Sequence, residues 1–306
     1  MREGIEARLR FARASGIAAA RRAAGHLRAT GGRRDVREPI FVIGCPRSGT
    51  TLLFDLLRRH PDLASLGAEG HRFWDAHQHP ARKGWGSDRS TPSSIARDEP
   101  AFVSAAIARV ARGSRFVDKT PRNALRVPYL DALFPDARFV FLHRDGRATV
   151  ASLIEGWTAR RGISYRLPVR LELDRHRGRY WSYVLPPGWR GWIRTSVPAV
   201  AALQYRTSNE IALDDLAAID RSRVTTVSFE ALLDRPADTI GGVLARLELP
   251  SADEVLGPAA ELDRHAVSSL SPPRPGKWRD RAALIEPVLP LIEPTMRRLA
   301  TEVAAG

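Results

Sequence analysis

IFVIGCPRSGTTLLFDLL, residues 40–57, is the stretch that decides the fold. Four apolar residues, Ile40–Ile43, run into a turn bearing Gly44 and Gly49, and an apolar-periodic segment follows from Thr51. That order is strand, glycine turn, helix, the build of a phosphate-binding loop. The nucleoside-triphosphate version is G-x-x-x-x-G-K-[ST]. Here the glycine spacing and the hydroxyl at Thr51 are kept, but Thr50 stands where the lysine belongs, and the loop's positive charge is Arg47. A turn of this kind points backbone N–H groups and a helix dipole at one spot, so it binds a phosphate or sulfate. Without the lysine, the ammonium that reaches the β- and γ-phosphates of ATP is missing. A donor with one phosphate at this end and another anionic group near Arg47 fits better.

Outward from the loop, the chain alternates strands and helices. Arg115–Val117, Arg138–His143 and Arg223–Phe229 read as buried strands, and Thr51–His60, Arg147–Gly156 and Pro198–Ala218 as helices. A further helix is expected from about Ala237, and the tail from about Ala282 is also helical in pattern. This predicts an α/β fold: one P-loop-like domain over residues 39–306, with a mostly parallel sheet and helices on both faces. Residues 158–198 read as irregular. Their tryptophans (181, 189 and 192, with Trp157 just before) suit either core packing or an apolar wall for a substrate. Residues 1–38, rich in Arg and Ala, read as a basic helical extension. It could be solvated, or could contact a partner or a membrane surface peripherally.

The chain has 306 residues and a formal net charge of +14, which fits an anionic ligand or surface. Cys45 is the single cysteine, so no intrachain disulfide or thiolate metal cluster can form, and a reducing cytoplasm is expected. No stretch approaches the roughly 20 apolar residues of a membrane-spanning helix. His71, His77 and His79 lack the spacing of a helical metal motif, so no metal is expected there. His143-Arg144-Asp145 is similar to the start of a kinase catalytic loop, but Val150 stands where that loop needs asparagine. Nothing matches a nucleic-acid-binding motif.

PRSGTT after an apolar strand resembles the 5′-phosphosulfate loop of sulfotransferases that use 3′-phosphoadenosine 5′-phosphosulfate (PAPS). Its arginine form is similar to that of the tyrosylprotein sulfotransferases and their bacterial relatives. The likeness continues through HPDL, residues 60–63, and resumes at FVDKTPRNALRVPYLDALFPDARFVFLHRDGRATVASL, residues 116–153. VSSLSPPRPGKW, residues 267–278, resembles the loop that closes over the nucleotide. The resemblance implies a sulfotransferase domain over 39–306. It implies a PAPS site formed by Arg47, Ser48, Gly49, Thr50, Thr51, Arg144, Ser152, Ser269, Lys277 and Trp278, with Arg144 and Ser152 on the 3′-phosphate. Two positions depart from the family pattern. Gly156 replaces an arginine four residues past the serine, and Phe229 replaces a tyrosine.

Sulfuryl transfer needs a base near the acceptor and cations near the leaving oxygen. By resemblance, Lys119 lies beside the transferring group with Arg47, and Glu69 is the base, with His71 as the alternative. Lys83, Lys119 and Lys277 are the only lysines of the chain, and two of them fall in these motifs. A glutamate has a reference pKa of about 4.3, so its environment must adjust it. The expected activity is sulfonate transfer from PAPS to a hydroxyl of a glycan, glycolipid, peptide or small metabolite, with no metal required. A small-molecule kinase and a non-catalytic anion- or nucleic-acid-binding module are the alternatives. Oligomeric state has no sequence signature here.

Overall fold

The computed structural model describes residues 36–174, 176–262 and 276–304. Strands β1 (Ile40–Ile43), β2 (Leu63–Ala64), β3 (Arg115–Lys119), β4 (Arg138–His143) and β7 (Val224–Ser228) form one sheet in the order β2-β3-β1-β4-β7. Every pairing in it is parallel. The strands alternate between two apolar layers, as a period of two requires. Ile40, Val42, Val140 and Leu142 pack with helices α1 (Thr50–Leu57) and α8 (Pro236–Arg246). Phe41, Ile43, Phe139 and Phe141 pack on the other face with α5 (Gly146–Thr158) and α6 (Val197–Leu216). Both faces of the sheet are therefore covered, and the α/β, P-loop-like expectation holds.

Among the described residues, the remaining helices include α2 (His71–Gln78), α3 (Glu99–Ala111), α4 (Val127–Leu133), α7 (Phe229–Asp234) and α9 (Asp253–Ala260). Each of the sequence-assigned strands and helices lies within a few residues of its expected place. The basic extension falls almost wholly on residues 1–35, outside the described residues. No described helix is long and apolar enough to cross a membrane.

The stretch 158–198 differs from expectation. It holds an antiparallel hairpin, β5 (Ile163–Leu173) and β6 (His176–Ser182). The period is present in the sequence: Tyr165, Leu167, Leu171 and Leu173 are buried, and Arg166, Arg170 and Glu172 are exposed. Pro168 hid it, because a proline cannot donate to a ladder. The structure accommodates Pro168 where the register shifts between Arg166 and Leu171.

The tryptophans belong to the core. Trp157, Trp181 and Trp189 are fully buried and meet edge to face, with centroids 5.2 and 5.9 Å apart along the row. Each indole N–H is paired: Trp157 donates to Gln204, Trp181 to the Val184 carbonyl and Trp189 to the Trp85 carbonyl. They clamp the hairpin to α5 and α6 and do not face the cavity. That leaves the residues just after β6, Tyr183 and Val184, to reach it.

Candidate functional site

The sheet order reverses direction around β1, with β3 on one side and β4 on the other. Ligands of open α/β sheets bind outside the carboxyl ends of the strands at such a point. A cavity of about 870 Å³ opens there. Arg47, Gly49, Thr50, Thr51, Glu69, Arg144, Ser152, Lys277 and Trp278 all line it, so residues from distant parts of the chain share one chamber. Ser269 lies outside the described residues.

The loop after β1 is tight. Ser48 N–H donates to the Cys45 carbonyl at 3.1 Å, and Arg47 takes a left-handed φ of 70°. Such a backbone costs a non-glycine residue energy, and the loop holds it. Gly49 caps α1 with φ 110°, and a Cβ there would lie 2.2 Å from the Phe229 ring. Gly49→Ala therefore meets both a forbidden backbone and a steric block. It should lower stability by more than about 1 kcal/mol, as read by urea unfolding. The Ser48 hydroxyl is buried and makes no hydrogen bond among the described residues.

The two halves of the expected nucleotide site are already joined. Arg47 Nε donates to Ser152 Oγ at 3.2 Å, and Arg144 Nη1 donates to the Arg47 carbonyl at 3.3 Å. The Arg144 guanidinium stacks on Phe229, 4.5 Å from the ring centroid. The residue that departs from the family tyrosine thus carries an arginine on its face. Across the cavity, the Trp278 ring lies between Arg147 and Arg279, at 4.9 and 5.0 Å.

Lys119 ends β3 and is almost wholly buried. Its Nζ donates to Thr51 Oγ1 at 2.9 Å and pairs with Glu69 Oε1. Glu69 Oε2 pairs with His71 Nε2 at 2.7 Å. The loop carrying Glu69 is pinned from below by Asp118, a residue that sequence reasoning passed over. Thr120 Oγ1 donates to Asp118 and accepts from Gly70 N–H, while Trp74 and Asn123 also donate to the Asp118 carboxylate. A Cβ on Gly70 would sit 2.6 Å from Asp118, so glycine is needed at this contact. Burial raises the Asp118 pKa to about 6, against the hydrogen bonds from Thr120 and Trp74.

The electrostatics of the dyad run opposite to what a strong base needs. Burial would raise the Glu69 pKa, but the hydrogen bond from His71 and the charge of Lys119 outweigh it and hold Glu69 at about 2. Burial and the Arg122 charge lower the His71 pKa. An ionised carboxylate only accepts hydrogen bonds, so the His71 proton sits on Nε2. The Nδ1 lone pair is buried and has no partner among the described residues. His71 therefore acts as a donor to Glu69, and Glu69 lines the cavity.

The other two histidines of that stretch, His77 and His79, are engaged elsewhere. His77 packs on Phe102, and His79 lies against Trp85 and Tyr165. Among the described residues, no group of three or more His, Cys, Asp or Glu is placed to hold a metal ion.

A family model described as the sulfotransferase family matches residues 39–254. The nodulation protein NoeE of Sinorhizobium fredii is 30% identical over 260 residues, which cover 75% of this chain and 54% of that protein. The protein-tyrosine sulfotransferase of Drosophila melanogaster is 27% identical over 229 residues, 71% of this chain and 39% of that protein. The chain thus spans about half the length of these relatives or less. Among solved structures, the sulfotransferase STF9 from Mycobacterium avium superposes with a TM-score of 0.57 at 15% identity, over 86% of this chain and 77% of that one. At that identity the likeness is one of fold.

Proposed function

We propose a reaction from one premise: the chain belongs to the sulfotransferase family. The reaction is transfer of the sulfonate group of PAPS to a hydroxyl of an acceptor, leaving 3′,5′-diphosphoadenosine. The observation that carries it is the ammonium of Lys119, 2.9 Å from Thr51 Oγ1. Thr51 stands at the position of the hydroxyl that binds magnesium in nucleoside-triphosphate loops. Here a lysine from β3 stands at that hydroxyl, so the cation beside the cradle is supplied by the chain itself. The loop's lost lysine and this gained one together favour a donor without a polyphosphate.

The residues present fit such a donor. Ser48 Oγ is a buried hydroxyl with no hydrogen-bond partner among the described residues, and Arg47, Arg144, Thr51 and Ser152 all offer hydrogen-bond donors to one cavity. When bound, the donor supplies an activated sulfonate on a 5′-phosphate leaving group. The helix α1 N-terminus, Ser48 and Thr51 hold the 5′ end. Arg144 and Ser152 hold the 3′-phosphate, and Lys277 and Trp278 close the nucleotide side. Glu69 takes the proton of the acceptor hydroxyl as its oxygen bonds to sulfur. Arg47 and Lys119 neutralise the phosphate oxygen released as the S–O bond breaks. Lys119 is shared with Glu69 in the free protein. Its charge holds the Glu69 pKa down, so any weakening of that pairing by a bound donor would raise the basicity of the carboxylate.

Incubation with PAPS and a panel of hydroxyl-bearing acceptors, read by mass spectrometry for sulfonated product, tests the reaction. Ligand stabilisation and metal dependence separate this reading from that of a kinase. PAPS should raise the melting temperature as a ligand of the native state does, Mg-ATP should not, and EDTA should leave transfer intact. A strict magnesium requirement would overturn the assignment.

A further inference from the structure

The geometry points to Tyr183 as a nucleotide-binding residue, its hydroxyl donating to the anionic group held by Ser152 and Arg144. This rests on the PAPS reading, and the ligand feature concerned is the phosphate on the donor's ribose. Tyr183 follows β6, in the hairpin whose strands the sequence hides. Its backbone takes a left-handed φ of 63°, fixed by a hydrogen bond from its N–H to the Gly162 carbonyl at 2.8 Å. An aromatic residue seldom adopts that conformation, and such strain collects where a side chain must be aimed.

Two glycines make room for the ring. A Cβ on Gly156 would lie 1.6 Å from the Tyr183 hydroxyl oxygen, and one on Gly162 would lie 2.5 Å from the ring. The phenol oxygen therefore rests in the notch that Gly156 leaves on α5. Gly156 is four residues after Ser152, so the two positions share one face of the helix. Ala148, Ala151, Ser152 and Glu155 line the cavity along that face, and Tyr183 lines it beside them. Ser152 is hydrogen-bonded to Arg47, whose charge also acts on the Tyr183 hydroxyl. Tyr183 Oη makes no hydrogen bond among the described residues, while Trp157, Trp181 and Trp189 nearby all have partners. A neutral phenol is a donor at neutral pH, and burial here pushes its ionisation further up.

Gly156 and Tyr183 thus form one device. The helix gives up a side chain one turn past Ser152, and a hydroxyl from the hairpin takes its place. Calorimetry of the wild-type protein with 3′,5′-diphosphoadenosine and with AMP, repeated on Tyr183→Phe and Gly156→Ala, tests it. Phenylalanine keeps the ring and removes the donor; alanine at 156 expels the hydroxyl from its notch. Both variants should bind 3′,5′-diphosphoadenosine about tenfold or more weakly, the range for a hydrogen bond to a charged group, while AMP affinity stays at the wild-type value. A packing role for Tyr183 would weaken both ligands together, and that outcome overturns the proposal. Unchanged diphosphate affinity in Tyr183→Phe, with the wild type still preferring the diphosphate, overturns it and leaves the donor reading standing. A wild type that does not prefer the diphosphate over AMP overturns both.

Discussion

Glu69→Gln lowers turnover on an alkyl hydroxyl acceptor by about 10²- to 10⁴-fold, the usual effect of removing a general base. Donor affinity should change little, because the nucleotide is held by the loop, Arg144 and Ser152 on the other side of Arg47. The substitution keeps the size of the side chain and its hydrogen bond with His71. It removes the charge paired with Lys119. An acidic acceptor such as a nitrophenol, already ionised near neutral pH, does not need the proton removed, so most of the loss should disappear with it. Steady-state rates on both acceptors, with calorimetry of 3′,5′-diphosphoadenosine, provide the check. Full activity of Glu69→Gln on the alkyl acceptor would remove Glu69 as the base and make His71 the next residue to replace.

Lys119→Ala should lower turnover by about 10²- to 10³-fold, the range for losing one donor aimed at developing charge. Unlike the glutamate variant, it should stay impaired on the nitrophenol, since the leaving group is the same. It should also move the pH profile in a set direction. With Lys119 present, Glu69 is held at about 2 and is ionised throughout the accessible range. Without that charge, burial acts against the ionised form with less to oppose it, and the folded-state pKa rises. The base must be deprotonated to act, so the acid limb of kcat/KM, which reports the free enzyme, moves to higher pH. An acid limb that stays in place would break the electrostatic link between the two residues.

The dyad shows what a linear reading can and cannot supply. Lys119 was marked by its rarity and its motif, and Glu69 by its place after the first helix. Their contact, 50 residues apart in sequence, follows from β2, which leads into the Glu69 loop, lying next to β3 in the sheet. The sign of the Glu69 shift was likewise out of reach. Sequence could state that a glutamate's pKa must be adjusted, but the adjustment depends on which groups surround it in space.

The loop, its strand and its helix were legible because their physics is local. Glycine spacing, an apolar run and the onset of a 3.6-residue period are written within 18 residues, and the missing lysine by itself argued against ATP. The second motif was legible for the same reason, with Arg144 and Ser152 set by one strand and the helix after it. The hairpin, the burial of the tryptophans and the position of Tyr183 were decided only by tertiary structure. Aromatic side chains serve a core and a binding wall equally well, and only the packed neighbours tell the two apart. The notch at Gly156 exists only because β6 returns the chain to α5. A glycine in a helix has no meaning in sequence until the side chain that fills its space is known.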